Sequence, residues 1–414
     1  MTMTHGQPDS VSIEDGVQDS QAPSPPPTDE QRVTWLELFF DLIFVVAFDQ
    51  LAKRLGDTPS GANVGLFLLL FTAVWWAWAG NTTFAARYGN DRRVYRWGSL
   101  LQLVTLGIIA LTERGDLDQT GQAFALAYGA NRLILVGMYL VTLRRDPDAA
   151  VFARPTAAGY GLGALIWLGS AGLGGTAQLA LWCLALGVDL LTPLLIRERH
   201  GAALPHQEHL PERVGLLQII ALGGVVNEVV TGGRQRDLTW DSLGAALFAI
   251  AAAVALWRLY FDQARALPVA LAHRVGRVSA FLAWLYGHLP FTVSVVMLGV
   301  GLGHGIGDTD PAHDAVNRAL VVWPLAGALL TLALLRWNAR RLTVHRARPD
   351  RSLLALSLGA AAAGGLALSG LGTLPLHAAV AALTLALALI VATDPLTRRL
   401  GQIEERLGAS GSPI

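Results

Sequence analysis

The sequence predicts an all-α, polytopic membrane protein of about twelve transmembrane helices, and three observations predict it. The 414-residue chain is 53% hydrophobic but only 15% charged, against the roughly 25% charged residues of soluble domains. Apolar runs near 20 residues long, enough to cross hydrocarbon, recur along almost the whole length. Arginine, which supplies all the cationic residues but Lys53, is concentrated in alternate connecting segments.

Residues 1–34 are polar, acidic and proline-rich, with Ala22-Pro-Ser-Pro-Pro-Pro27 at their centre. Such a composition predicts a disordered tail. It has neither the basic start nor the apolar core of a signal peptide, so the first membrane helix is expected to direct insertion. A membrane domain over 35–396 follows, then a short cytoplasmic tail over 397–414. Within the domain the apolar spans are 35–52, 62–80, 98–112, 122–143, 156–173, 176–196, 213–231, 241–261, 279–303, 317–336, 352–370 and 374–393.

Arginine and lysine placement gives the orientation. With the N-terminus inside, the inner segments hold 24 cations, Arg213 among them. The outer segments hold six: Lys53, Arg54, Arg114, Arg234, Arg236 and Arg318. Arg132 is left inside the fourth span. Cationic loops stay cytoplasmic, so this asymmetry predicts that both ends of the twelve-span run are cytoplasmic.

The first span is unusual: it carries Glu37, Asp41 and Asp49 within Trp35–Leu51. Steps of three and four residues put Glu37, Asp41, Phe44 and Phe48 on one helical stripe. A charge at mid-bilayer costs roughly 2.5–3.5 kcal/mol on insertion scales, so the stripe should face a bundle interior. Arg132 falls near the middle of the fourth span, and its charge is permanent. It needs a partner, either Asp41 or Asp189 of the sixth span. Glu228 lies toward the outer end of the seventh span, and His288 near the middle of the ninth, two residues before Pro290. Buried ionisable groups of this kind build proton relays and ion paths, or fixed pairs that lock helices together. Glu37, Asp41, Arg132, Asp189, Glu228 and His288 are therefore the candidate residues.

Other chemistry is not indicated. The chain lacks H-E-x-x-H, G-x-x-x-x-G-K and G-x-S-x-G, so neither an enzyme nor a cofactor is expected. Cys183 stands alone in an apolar run and reads as a small buried residue. His206 and His209 are three apart in what reads as a solvated inner loop, with no further ligands to complete a metal site. Pro211 and Glu212 just after them suit the first turn of a helix. Trp75, Trp76, Trp78, Trp97 and Tyr95 read as core packing plus an interfacial belt.

Four stretches resemble the bacterial low temperature requirement A (LtrA) family of membrane proteins. They are Glu37-Leu-Phe-Phe-Asp-Leu-Ile-Phe-Val-Val-Ala47; His206-Gln-Glu-His-Leu-Pro-Glu-Arg-Val-Gly-Leu216 running into Ile219-Ile-Ala-Leu-Gly223; Trp257-Arg-Leu-Tyr-Phe-Asp262; and Leu285-Tyr-Gly-His-Leu-Pro290. The resemblance covers about residues 32–340 and implies a bacterial inner-membrane protein; it implies no reaction. The family usually has a glutamate right after the Leu-Gly that ends the second stretch. Here that position is Gly224, and Glu228 lies one helical turn on.

The expected function is secondary transport, coupled to protons or cations, of an unidentified small molecule, with no nucleic acid as partner. The competing expectation is a non-transporting sensor or scaffold linked to low temperature or envelope stress, in which the same polar residues are static pairs.

Overall fold

The computed structural model describes residues 32–90, 92–113, 116–235, 237, 239–308, 310, 313–343 and 349–406. The tail read for residues 1–34 lies outside them except for its last three residues. The described residues form helices and connecting turns, with no strand among them. The helices are α1 (Trp35–Asp57), α2 (Gly61–Tyr88), α3 (Arg93–Thr112), α4 (Leu117–Arg145), α5 (Ala150–Ser170), α6 (Gly175–Leu195) and α7 (His209–Arg234). They continue as α8 (Trp240–Gln263), α9 (Leu267–Val275), α10 (Val278–Gly307), α11 (Asp314–Thr343), α12 (Arg351–Gly365), α13 (Thr373–Thr393) and α14 (Pro395–Arg406).

Each predicted span overlies one long helix, although α2 continues to Tyr88 and α11 to Thr343, well past the predicted ends at 80 and 336, and α9 and α14 are short additions. Among the described residues ten helical stretches are long and apolar enough to cross a membrane. The spans of α1 and α5 fall outside that set. In α1, Glu37, Asp41, Asp49, Lys53 and Arg54 lower the hydropathy. Its burial pattern resolves the apparent contradiction. Glu37, Phe40, Asp41, Phe44 and Phe48 are buried, whereas Phe39, Leu42 and Val46 are at least half exposed. The acidic stripe faces protein and the outward face is apolar, as hydrocarbon demands.

Capping fixes where several helices begin. Thr34 and Glu37 form a reciprocal box at the start of α1, and Thr239 and Ser242 do the same for α8. Gly276, with φ at 66°, takes the left-handed conformation that ends α9.

Helix directions follow from which ends meet. At the end read as inner, Asn90 reaches Glu37, Arg87 reaches the Ala203 carbonyl, and Arg265 pairs with Glu404. At the opposite end, Arg54 donates to the Glu113 carbonyl, Asn227 to Asp49, Arg318 to the Ser369 carbonyl and Thr373 to the Gly305 carbonyl. The twelve long helices therefore alternate in direction, and both ends of the run lie on one side.

The most buried span, α10, packs on α7, α11, α1 and α2. Its Gly299 and Gly303 meet Val225, Glu228 and Gly232 of α7 so closely that a Cβ on Gly303 would collide with the Glu228 carbonyl. Small residues of this kind let membrane helices approach backbone to backbone. One flank of the bundle comprises α3 to α6, the other α8 and α11 to α13. Of the tail read for 397–414, residues up to 406 complete α14, whose Leu400 packs with Leu267 and Ala339.

Cys183 is a correction: it is exposed on α6 rather than buried. In a bilayer the outward face is itself apolar, so a small apolar residue gains nothing by being hidden. The aromatic cluster divides. Trp75, Trp76, Trp78 and Tyr95 are core residues, while Trp97 is 68% exposed.

Candidate functional site

The polar residues picked from the sequence form separate sites rather than one cluster. The first is built on α1 and α7. Arg213 is fully buried and holds both acids of the α1 stripe. Its Nε and Nη2 donate to Asp41 Oδ2 and Oδ1, at 2.9 and 2.5 Å, in a fork. Its Nη1 forms an ion pair with Glu37 Oε1 at 2.8 Å. Trp78 of α2 donates to Asp41 Oδ1 (2.8 Å). Asn90 donates to Glu37 Oε2 (2.8 Å), as do the Thr34 amide (2.8 Å) and hydroxyl (3.0 Å). His209 Nε2 lies 3.0 Å from Glu37 Oε1 and is also fully buried.

Two sequence readings change here. The His206–Glu212 segment is not a solvated loop as far as His209 is concerned, because that residue starts α7 and packs on Glu37. Asp41 is partnered by Arg213 and not by Arg132. Arg213 sits at the inner end of α7, which is why it reads as a loop cation. A helical turn brings it beneath α1, where the two acids stabilise it in place of water.

The second site is the pair of Arg132 and Asp189, both with no exposed surface. Arg132 Nε lies 3.1 Å from Asp189 Oδ2, and the guanidinium stacks over the Tyr160 ring at 4.3 Å. Among the described residues no nitrogen of Arg132 and no carboxylate oxygen of Asp189 makes a well-aligned hydrogen bond. Two glycines make room for the pair. A Cβ on Gly80 of α2 would come within 3.0 Å of Arg132 Nη1, and one on Gly163 of α5 within 2.6 Å of Asp189 Oδ1.

Beside this pair is a cavity of about 20 Å³, room for about one water molecule in its present shape. Gly80 and Tyr160 line it, with Arg87, Tyr139 and His200 toward the inner end. Arg87 donates through Nη2 to His200 Nδ1 (3.1 Å) and through Nε to the Ala203 carbonyl (2.9 Å). It also stacks over Phe152. The other ring nitrogen of His200 donates to the Pro193 carbonyl (3.1 Å). That arrangement requires a neutral ring. Burial, reinforced by the Arg87 guanidinium, holds its pKa down to about 3.

His288 belongs to neither site. Its Nδ1 donates to the Trp284 carbonyl (2.7 Å), and its ring stands between Trp284 and Tyr260. No ionisable group bonds to it among the described residues. Its carbonyl accepts from Thr292, which also bonds to Gln218 of α7. Glu228 is half-buried at the outer end of α7, with Asp49 and Lys53 of α1 as charged neighbours. Gly224 has open space where a Cβ would stand, so bulk does not bar a glutamate there.

Sequence reasoning missed a chain of uncharged amides. Asn81 of α2 donates to Ser99 and Gln102 of α3 and accepts from Tyr95. Gln102 donates to Asn131 of α4, which donates to Thr105. The signal was available, since Asn81, Gln102 and Asn131 each interrupt an apolar run. Also missed was Arg336 of α11, which binds Asp350, Asp394, Gln263 and Thr397 and ties α8, α12 and α13 together. No group of three or more metal-ligating side chains occurs among the described residues.

The family model described as "Bacterial low temperature requirement A protein (LtrA)" matches residues 32–392. A protein of Rhizobium meliloti (strain 1021), described as uncharacterized, is 29% identical over 339 residues, covering 76% of this chain and 78% of its own. No solved structure matches.

Proposed function

Starting from the fact that the chain belongs to the bacterial LtrA family of multi-pass membrane proteins, we propose that it is a proton-coupled secondary transporter of the inner membrane. The observation that carries this reading is the Arg132–Asp189 pair. It lies fully buried near mid-span with its hydrogen-bonding capacity unmet, next to a cavity that leads toward the inner end. An acid whose only ionic partner is a permanent cation is suited to exchange that partner for a proton. Glu37, Asp41, Arg213 and His209 would form the fixed frame against which such a site moves. No covalent chemistry is assigned.

The test is uptake into proteoliposomes driven by a pH gradient, across panels of anions, amino acids and sugars. Asp189→Asn is expected to abolish the dependence of uptake on the gradient. Unchanged gradient-driven uptake of every substrate class in that variant overturns the reading.

One observation favours the second reading, a sensor or scaffold. The Arg213 and Arg336 knots are densely bonded and tie many helices together, as a static protein requires. A static Arg132–Asp189 pair predicts no flux of any solute, and a double replacement that costs less than either single one.

A further inference from the structure

We infer that the cavity and the Arg132–Asp189 pair together form a binding site for a small monovalent anion, which enters with one proton. The inference deepens the transport reading and rests on it only for movement across the membrane; the binding stands on geometry alone.

The donors are already in place. Arg132 is fully buried with Nε, Nη1 and Nη2 all without an aligned acceptor. Its charge is permanent, so it cannot escape the cost of burial by deprotonating. Tyr160, whose ring lies beneath the guanidinium, also lines the cavity. Gly80 borders both the cavity and Arg132 Nη1, with the Leu135 side chain packed at the same place, so the pair lies one layer behind the cavity lining. Arg87 stands at the inner end of the cavity as a second cation. Among the described residues no carboxylate lines the cavity, which argues against a cationic ligand. In its present shape the cavity has room for about one water molecule, so the ligand is a small ion that the site must widen slightly to admit.

The proton follows from charge balance. The Arg132–Asp189 pair is neutral, and Arg87, the further cation at the inner end of the cavity, is only partly buried, so water there screens it. Adding an anion beside the pair would leave one uncompensated negative charge in a low-dielectric interior, which is strongly disfavoured. Protonating Asp189 restores neutrality. The anion takes over the guanidinium, and the carboxyl that it displaces takes up the proton. The charged and titratable groups facing Asp189 are Arg132 and Tyr128 on α4 and Tyr160 on α5. Both phenols are neutral near pH 7, which leaves Asp189 as the acceptor.

The experiment uses the purified full chain with chloride, nitrate and formate as separate probes; the first two represent inorganic ions and the third a carboxylate. Binding is read as a saturable rise in melting temperature. Proton uptake is read with an indicator in weakly buffered detergent solution. The expected result is one proton taken up per anion bound. Asp189→Asn should bind the anion at least about tenfold more tightly, with no proton uptake and no pH dependence, because its guanidinium has lost its counter-ion. The neutral pair Arg132→Gln with Asp189→Asn should fold and bind none of the three. Binding by that double variant at wild-type affinity overturns the site, as does the absence of any anion-dependent shift in both wild type and Asp189→Asn. Anion binding with proton uptake but no flux in proteoliposomes keeps this inference and removes the transport reading. Proton-coupled flux of another solute, with none of the three anions bound, does the reverse.

Discussion

Arg213 and Arg132 are both fully buried arginines, each facing carboxylate from another helix, yet the two sites are built differently. Arg213 spends its donors on Glu37 and Asp41, and those acids are held in turn by Trp78, Asn90 and Thr34. Arg132 faces one acid, off the hydrogen-bonding axis, in a space cleared by two glycines beside a cavity. A buried guanidinium forked onto its acid, with further donors on that acid, is a joint; one with no aligned acceptor is a place where something else can bind. The bundle thus separates a rigid seam, α1 on α7, from a loosely satisfied one among α2, α4, α5 and α6.

The strongest way to break this comparison is to remove Arg213. Arg213→Gln leaves Glu37 and Asp41 buried without their cation, and is expected to cost about 3–5 kcal/mol. The yield of monodisperse protein should collapse. Arg213→Lys should restore little of it, because an ammonium cannot reproduce the fork to Asp41. Recovery to wild-type melting temperature in the lysine variant would show that only charge matters at the seam.

A smaller effect sharpens the loose site. Gly80→Ala puts a methyl group 2.7 Å from Leu135 and 3.0 Å from Arg132 Nη1. Overpacking of this kind costs about 1–3 kcal/mol. Because Arg132 is held by one ion pair and a ring stack and by no aligned hydrogen bond, the guanidinium should shift, and binding at the cavity should weaken more than stability does. A variant that loses stability but keeps every binding property would place Gly80 outside the site.

The smallest expected effect is a pH dependence at the inner end of the cavity. His200 is neutral when folded, with its pKa near 3, against 6.5 in an unfolded chain. Between those values the unfolded state binds more protons, so stability falls as pH drops through that window and is fully present above it. At pH 5 the loss should be about 1–2 kcal/mol, after allowing for screening at the bundle end. His200→Gln should flatten that acid limb of a melting-temperature profile. An unchanged limb would assign it to carboxylates instead.

Much of the architecture was legible in the sequence. A chain that must satisfy its backbone inside hydrocarbon has few options, so hydropathy located the twelve spans and arginine placement gave their alternation. The acidic stripe of α1 was readable because Glu37 and Asp41 are four apart. Its partner was not, since Arg213 lies 172 residues away at a helix end that resembles a loop. The amides Asn81, Gln102 and Asn131 went unread because hydropathy weighs charge before hydrogen bonding. Cys183 misled because burial habits learned in water do not hold against lipid. The separation of His288 from Arg132 is a matter of helix rotation, which spacing along one helix does not encode.

The distance along the chain between Asp41 and Arg213 also has a temporal side. Synthesis at about 5–20 residues per second makes the guanidinium roughly 10–35 s younger than the acid it neutralises. Through that interval the ribosome has delivered the opening helix but not its counter-ion. The nascent chain must shelter two carboxylates at the translocon or the headgroup boundary until α7 emerges, so the last step of α1 maturation is a docking event rather than an insertion.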